Sequence, residues 1–390
     1  MVIMFFAIFD GILSYLAPIL ITKVGYSKTQ MGLIIASSNI FGAIFDFLLA
    51  KYITNTSYRR LFLVMLGLSF VYPLVLWSAK TIPFFMISMF IWGLYGDIRN
   101  FATFDFVSRR SKPGERCQNI GILGIFSSLG YLLGPIIAGL VVVETITFLP
   151  FSLALSFVIL SFVFYLILID LSPKKDSKDY SHRTKYLRLN FFKEFGLLKK
   201  IGRILFPVLF FYMVLYMFDA AFWTIGPLFA ESFGSFKDFG GFFMTMYTLP
   251  ALLIGWYVQK ITNKHGKKKT AYYSFLISSL LIIFVGIFKN PVLILLTVFV
   301  SSLAGSIAWP AIRGAYVDYI SESKQYEKEI ESLNDFSANL GYIFGPILAG
   351  LMADKVGISN FFVFLGIFNI IVVLLLFTIT PKNIRVIVKK

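Results

Sequence analysis

Twelve apolar segments run through the sequence, and each is about as long as a helix that crosses a bilayer. A transmembrane helix needs about 20 apolar residues, and its backbone polar groups bond within the helix. The runs are too continuous for the alternating pattern of a membrane β-barrel. We therefore predict an all-α integral membrane protein with twelve transmembrane helices. Their approximate spans are 2–22, 29–50, 61–79, 82–106, 118–142, 148–170, 204–230, 238–259, 270–288, 291–320, 333–353 and 359–380.

Composition supports a membrane protein and excludes other classes. Hydrophobic residues make up 58% of the chain and charged residues 14%, whereas soluble domains carry about 25% charged residues. The single cysteine, Cys117, allows no disulfide within the chain. The two histidines, His182 and His265, lie in charged loops, so we expect no metal site. No basic leader precedes the first segment, so we expect no cleavable signal peptide.

Basic residues are distributed unevenly between the two sets of loops that alternate along the chain. One set, together with the C-terminal tail, holds 28 of the 36 Lys and Arg residues, while the other set holds six. Basic loops stay in the cytoplasm, so we expect both termini to be cytoplasmic and the protein to lie in the plasma membrane. The formal net charge of +16 then faces an anionic inner leaflet, and no nucleic-acid partner is needed to explain it.

An eleven-residue stretch, here named the repeated stretch, occurs as GYLLGPIIAGL at 130–140 and as GYIFGPILAGL at 341–351. Eight of its eleven positions are identical in the two copies. Pro135 and Pro346 each remove a backbone donor, so we expect a helix break there. An ordinary packing helix explains either copy alone. Small residues recur every four positions, on one helix face that a neighbouring helix can approach closely: Gly130, Gly134, Ala138, Gly341, Gly345 and Ala349.

Further matches between the two halves of the chain indicate an internal duplication. Phe9-Asp10 corresponds to Phe218-Asp219, and Asp105 corresponds to Asp318. Each half has an even number of helices, so the halves are parallel repeats about an axis along the membrane normal.

The duplication predicts four domains or segments along the chain. They are a six-helix bundle at 1–170, a basic cytoplasmic linker at 171–203, a second six-helix bundle at 204–380 and a basic cytoplasmic tail at 381–390. Residues 186–201 of the linker mix Leu and Phe with Arg and Lys, which is typical either of an interfacial helix or of a solvated loop.

These features resemble the major facilitator superfamily of secondary transporters over essentially the whole chain. The Gly-x-x-x-Gly-Pro element at 130–135 is similar to the family's antiporter motif. The run from Asp105 to Arg116 is similar to the family's connection between helices 4 and 5. The sequence departs from the signature loop after helix 2, where Ala50-Lys51 stand and Asp46 lies one turn earlier.

The resemblance implies alternating access, with helices 1, 4, 7 and 10 lining a central cavity. It also implies that helix 5 meets helix 8 and helix 11 meets helix 2 at the boundary between the halves. The small faces and prolines of the repeated stretch would then gate the movement of the halves.

Charged residues inside the segments are costly in a bilayer and mark functional sites. Asp10 and Asp219 lie about twelve residues from the outer ends of their helices, near the midplane of a core about 30 Å thick. Arg99, close to Asp97 in helix 4, and Arg313 in helix 10 lie toward the cytoplasmic side. By the family resemblance, all of these charges fall on cavity-lining helices.

We expect Asp10 and Asp219 to be protonation sites, because a carboxyl group in a poorly hydrated cavity can take up and release a proton. Arg99 and Arg313 would stabilise the deprotonated form or bind an anionic group of the solute. The alternative is that the carboxylates are helix caps or members of static ion pairs. Two tryptophans share helix faces with these charges and are candidate cavity walls: Trp223 and Trp309. Weaker candidates are Asn39 and Tyr247.

Charged residues at the cytoplasmic helix ends form a predicted latch between the halves. The alternative is that they are ordinary basic-loop residues that pair with helix dipoles. The cytoplasmic latch comprises Asp46, Lys51, Arg59, Arg60, Asp105, Arg116 and Asp318.

The sequence thus predicts a secondary transporter that moves a small solute by alternating access, with proton-coupled export by antiport as the leading mechanism. Two alternatives are left: an importer or facilitator of a small polar or anionic solute, and a non-transporting membrane receptor or scaffold. There is no Walker loop and no nucleophile–base constellation, so we expect no enzyme and no cofactor, with the proton gradient as energy source. The expected partners are the solute and the lipid bilayer, and we expect a monomer.

Neutralising Arg116 is predicted to shift the protein toward its inward-open state, because a latch that holds the cytoplasmic side closed would lose one of its charges. Accessibility labelling of the cytoplasmic side measures the shift. Unchanged labelling would count against the latch.

Overall fold

Twelve α-helices make up the described part of the chain, with no strand among them. The computed structural model describes residues 1–52, 56–112, 115–142, 146–171, 191–233, 240–322 and 327–380, without the side chains of 45–52, 117, 191–204, 240, 256, 320–322 and 327–332. The helices are α1 Val2–Lys23, α2 Lys28–Tyr52, α3 Tyr58–Ser78, α4 Ile82–Arg110, α5 Arg116–Val141, α6 Leu149–Leu171, α7 Phe191–Glu231, α8 Gly240–His265, α9 Lys267–Ile287, α10 Pro291–Glu322, α11 Glu327–Val356 and α12 Ile358–Ile379. The predicted all-α class and the number of helices are confirmed.

Most of these helices are long and apolar enough to cross a membrane. Within the described residues nine pass on length and hydropathy, and α8 makes ten if its two bent parts, Gly241–Gly255 and Tyr257–His265, form one span. Of the predicted twelve spans, only α2 and α4 lie outside this set. Part of the reason in α4 is chemical, because Asp97, Arg99 and Asp105 lower its hydropathy.

α1 and α7 are the most buried of the candidate spans in the described chain. Over their most apolar windows, 83% of α1 and 72% of α7 is buried within the protein. A helix that is apolar all round is typical of such a central position. Asp10 and Asp219, which the sequence predicts to lie near the midplane, are therefore on the two most buried candidate spans of the described chain.

Two compact units divide the chain. The first comprises Met1–Leu187 and Ala230–Thr245, and the second comprises Arg188–Phe229 and Met246–Lys390. The end of α7 and the beginning of α8 thus group with the first unit. There, Lys23 pairs with Glu231 at 3.2 Å. The proposed domain bounds stay a prediction.

The predicted linker is helical in its second part. Residues 191–203 form the beginning of α7, continuous with the predicted seventh span, rather than a separate helix. The rest of the linker, 172–190, and the tail, 381–390, lie outside the described residues.

The repeated stretch packs α5 closely against α1. An added Cβ at Gly134 would lie 2.8 Å from the Cα of Gly11, and one at Gly130 would lie 2.5 Å from the Cβ of Ala7. Real Cβ atoms do not come this close to a backbone atom, so glycine is required at this crossing.

The second copy of the stretch packs α11 against α7 in the same way. An added Cβ at Gly341 would lie 2.5 Å from the Cβ of Tyr216, and one at Gly345 would lie 2.7 Å from the carbonyl oxygen of Met217. The third small residue of each copy, Ala138 and Ala349, is also buried. The internal duplication is therefore visible in the packing as well as in the sequence.

This placement differs from the expected one, in which the small faces lie at the boundary between the halves. The glycines contact α1 and α7, each within its own half, because these helices present small residues or backbone at the crossing. Other residues of the same stretch meet α8 in the first unit, where the hydroxyl of Thr245 donates to the carbonyl of Leu132 at 3.3 Å. The gating role of the stretch stays a prediction.

The expected helix breaks at the two prolines do not occur. Pro135 lies inside α5 and Pro346 inside α11, and both helices continue through them. A transmembrane helix tolerates proline because neighbouring groups can satisfy the carbonyl that the missing N–H leaves free.

Gly134→Ala is expected to lower the melting temperature of the purified protein, because its Cβ would collide with the backbone of Gly11. Overpacking of this kind typically costs about 1–3 kcal/mol. Gly121→Ala, on the same helix, is the matched control, since its Cβ would meet no protein atom within 4 Å. Equal melting temperatures for the two variants in the same detergent would contradict the packing of α5 on α1.

Candidate functional site

The Asp10 carboxylate is buried in the first half and is fully engaged by hydrogen bonds. One oxygen, Oδ1, accepts from the indole N–H of Trp92 at 3.0 Å and from the hydroxyl of Tyr95 at 2.6 Å. The other oxygen, Oδ2, accepts from the hydroxyl of Tyr131. Asp10 is only 6% exposed, so these donors replace the water that the charge has lost.

Arg99 balances the charge of Asp10, mainly through Tyr131. Its Nη1 donates to the Tyr131 hydroxyl at 2.8 Å and lies 4.0 Å from Oδ2 of Asp10. The guanidinium also lies over the ring of Phe6, 5.6 Å from the ring centre. The first half therefore holds a cation, a tyrosine and a carboxylate in one chain of contacts.

The Asp219 carboxylate in the second half has tyrosine donors and no cation. Oδ1 accepts from the hydroxyl of Tyr247 at 2.7 Å, and Oδ2 accepts from that of Tyr342 at 3.1 Å. Within the described part of the chain, no Lys, Arg or His nitrogen lies within 4.0 Å of this carboxylate. Asp10 and Asp219 thus correspond in sequence and in tyrosine bonding, but differ in charge balance.

The repeated stretch contributes directly to both sites. Tyr131 and Tyr342 are the second residue of its two copies, and each donates its hydroxyl to the aspartate of the adjacent buried helix. The glycines that flank them set the distance between the helices, so a short packing motif also positions a hydrogen-bond donor. Sequence analysis did not select this tyrosine, although its identity in both copies was a usable signal.

An aromatic cluster lies next to Asp219. The ring centres of Tyr216 and Trp309 are 4.7 Å apart, those of Tyr216 and Tyr342 are 5.1 Å apart, and those of Tyr212 and Trp309 are 6.2 Å apart. Tyr342 joins this cluster to the carboxylate. The role of Trp309 as a cavity wall stays a prediction.

The remaining predicted site residues are spread over different surroundings. Arg313 is exposed, and its charge lies more than 4.0 Å from the Asp219 carboxylate. The carboxylate of Asp97 lies against Gly42 of α2. Trp223 is half-buried on α7, one turn beyond Asp219.

Two residues of the predicted latch bind the first residue of a neighbouring helix. Asp105 accepts from the backbone N–H of Tyr58, at the beginning of α3, at 2.8 Å. Asp318 binds the ammonium of Lys267, at the beginning of α9, at 2.6 Å. Asp105 also pairs with Arg109 at 2.8 Å.

The other described latch residues contact backbone and aromatic groups nearby. Arg116 donates to the carbonyl of Ser108 at 2.9 Å, Arg59 contacts the ring and hydroxyl of Tyr58, and Arg60 is exposed. The side chains of Asp46 and Lys51 lie outside the described residues. All of these contacts lie within one half, and the latch stays a prediction.

Sequence reasoning missed the α4 donors, Trp92 and Tyr95. They precede Arg99 by seven and four residues, so all three share one face of the helix, and this spacing was a usable signal. Tyr72 of α3 packs against both rings, with centres 6.0 and 5.6 Å away. No comparable signal exists for Tyr72, because many tyrosines face lipid or other helices.

The chain is similar to one family model and to several solved structures. A family model described as Major Facilitator Superfamily matches residues 1–234 and 208–389. No curated protein sequence matches the chain. Among solved structures, the nucleoside transporter NupG is similar at 13% identity, with a TM-score of 0.79 and 98% of each chain covered.

Two further structures share the fold at similarly low identity. One is a bacterial homologue of the human lysosomal transporter Spinster, at 12% identity, a TM-score of 0.71 and coverage of 97% of this chain and 94% of that one. The other is the human organic anion transporter MFSD10 (TETRAN), at 16% identity, a TM-score of 0.61 and coverage of 96% and 97%.

Arg99→Gln is expected to lower the melting temperature, because the Asp10 charge would lose its cation. Adding Asp10→Asn should restore part of the loss, since a neutral amide needs no cation; a coupling of about 0.5–3 kcal/mol is typical of such pairs. The four proteins of this cycle are compared in one detergent. Arg60→Gln, an exposed arginine, controls for loss of a positive charge. Strictly additive effects would rule out the charge balance.

Proposed function

We propose a function from one premise: the chain belongs to the Major Facilitator Superfamily. It is a multi-pass membrane transporter, not an enzyme, and it moves a small solute by alternating access. We propose that this transport is coupled to protons and that Asp219 carries the coupling proton. From the distribution of basic residues, we also propose a plasma-membrane location with both termini in the cytoplasm.

The observation that carries this proposal is the difference between the two aspartates. Asp10 has Arg99 nearby, whereas the described residues supply no cation within 4.0 Å of Asp219. A shielded carboxylate without a cation is costly and is readily neutralised by proton uptake. The Tyr247 and Tyr342 hydroxyls support the charged form, so both protonation states of Asp219 have a reason to exist. A residue that carries a coupling proton must be able to exist in both the charged and the protonated form.

Export by antiport is the proposed direction, on the resemblance of the α5 element to the motif of antiporters. A second candidate is uptake or facilitated diffusion of a polar or anionic solute. Arg99 in α4 and the exposed Arg313 in α10 favour it, and so does the presence of a nucleoside transporter and an organic anion transporter among the similar structures.

The sign of the pH gradient that drives accumulation separates these mechanisms. A thermal-shift screen across drugs, sugars, amino acids and organic anions supplies a solute, and proteoliposomes then measure its uptake. An acidic interior should drive accumulation if the protein is an antiporter, and an acidic exterior if it is a symporter. A facilitator only equilibrates the solute, and transport that is indifferent to both gradients and to a protonophore would refute proton coupling.

Asp219→Asn is expected to abolish accumulation driven by the pH gradient, because an amide cannot carry the proton. Asp10→Asn should have the smaller effect, since Arg99 already balances Asp10. Asp170→Asn makes the same chemical change at the exposed end of α6 and is the matched control. Undiminished accumulation by Asp219→Asn would remove Asp219 from the coupling mechanism.

A further inference from the structure

We propose that the second half binds an organic cation, with a protonated amine beside Asp219 and an aromatic or apolar body against Tyr216 and Trp309. The inference rests on the proposed function, because it assumes that the surroundings of Asp219 are the transport site. It goes further by naming the chemical class of the solute.

The register between α4 and α10 shows which residues correspond in the two halves. Asp105 binds the first residue of α3, and Asp318 binds the first residue of α9. The two aspartates therefore occupy equivalent positions. Six residues before Asp105 stands Arg99, and six residues before Asp318 stands Ile312. The second half has a buried isoleucine where the first half has its cation.

The first half shows how a cation fits this arrangement. The guanidinium of Arg99 touches the tyrosine hydroxyl at 2.8 Å and lies 4.0 Å from the carboxylate. The second half has the same pair, Tyr342 and Asp219, in the same hydrogen bond. Because Ile312 cannot supply the charge, a cationic group of the solute can take the place that Arg99 fills in the first half.

Aromatic rings in the second half suit such a group. Tyr216 takes the place of Ala7, since each contacts the first glycine of the repeated stretch. Trp309 packs edge-on against Tyr216, and both rings are half-buried, so part of each surface is accessible. Aromatic rings beside a carboxylate attract protonated amines through the negative faces of the rings.

The nearby charges favour a cation over an anion. Arg313 and Asp335 are both exposed and carry opposite charges. Asp219 is less exposed, and no described Lys, Arg or His nitrogen lies within 4.0 Å of its carboxylate. An anionic solute would meet this carboxylate at close range, whereas a protonated amine would supply its counter-charge.

Binding of three matched probes to the purified full-length protein tests the proposal without any gradient. The probes share a phenyl ring and differ in charge: 2-phenylethylammonium, 2-phenylethanol and 3-phenylpropionate. Isothermal titration calorimetry at neutral pH should give the cation an affinity at least about tenfold higher than either other probe, in line with about 1.4 kcal/mol per tenfold change. Equal affinities, or a preference for the anion, would overturn the proposal.

Substitution at Ile312 gives the sharpest variant. Ile312→Arg installs the arginine that the first half carries, and it should remove cation binding by occupying the site. Ile312→Met has a similar length without charge, and it should keep the binding. Cation binding that survives Ile312→Arg in a protein that elutes as a single folded species would contradict the proposal.

Asp219→Asn provides the second variant, in case Ile312→Arg does not fold. It should weaken binding of 2-phenylethylammonium at least about tenfold and leave binding of 2-phenylethanol unchanged, since only the cation uses the charge. An unchanged affinity for the cation would overturn the proposal by itself.

The two proposals can fail separately. If the cation does not bind, but accumulation of another solute depends on the pH gradient and on Asp219, proton coupling holds and the solute class is wrong. If the cation binds selectively and transport ignores the pH gradient, the solute class holds and proton coupling is wrong.

Discussion

The cost of a carboxylate inside an apolar protein is the constraint on which both halves depend. Asp10 and Asp219 lie on the two most buried candidate spans of the described chain, where a charge is costly without hydrogen-bond partners. The carboxylate needs hydrogen-bond donors, and this requirement fixes the rotation of each neighbouring helix that supplies one. In the first half, α4 supplies Trp92 and Tyr95 and α5 supplies Tyr131, so one charge on α1 orients two neighbouring helices.

Close helix packing and polar bonding are joined in the repeated stretch. Its glycines bring α5 onto α1 and α11 onto α7, and its tyrosine uses that proximity to reach the aspartate. A bulkier residue in place of Gly134 would move the tyrosine as well as the helix. The duplication has therefore kept a structural unit in which packing and site chemistry depend on the same residues.

The two halves differ in the charge that accompanies the aspartate. The aspartate and its tyrosine are the same in both, whereas Arg99 faces Asp10 and a buried Ile312 stands at the equivalent position of the second half. One half thus carries a compensated charge and the other an uncompensated one. In a transporter, a proton or a cationic group of the solute can neutralise the uncompensated charge.

The lengths of the apolar runs were enough to predict twelve helices, because the composition of each run follows from the bilayer that surrounds it. Internal repetition was enough to locate Asp10, Asp219 and the two copies of the stretch. The partners of these residues depended on how each helix is rotated and crossed, and apolar helices permit many rotations. Folding in three dimensions therefore selected Trp92 and Tyr95 as donors, brought Arg99 close to Asp10, and packed the glycines against α1 and α7.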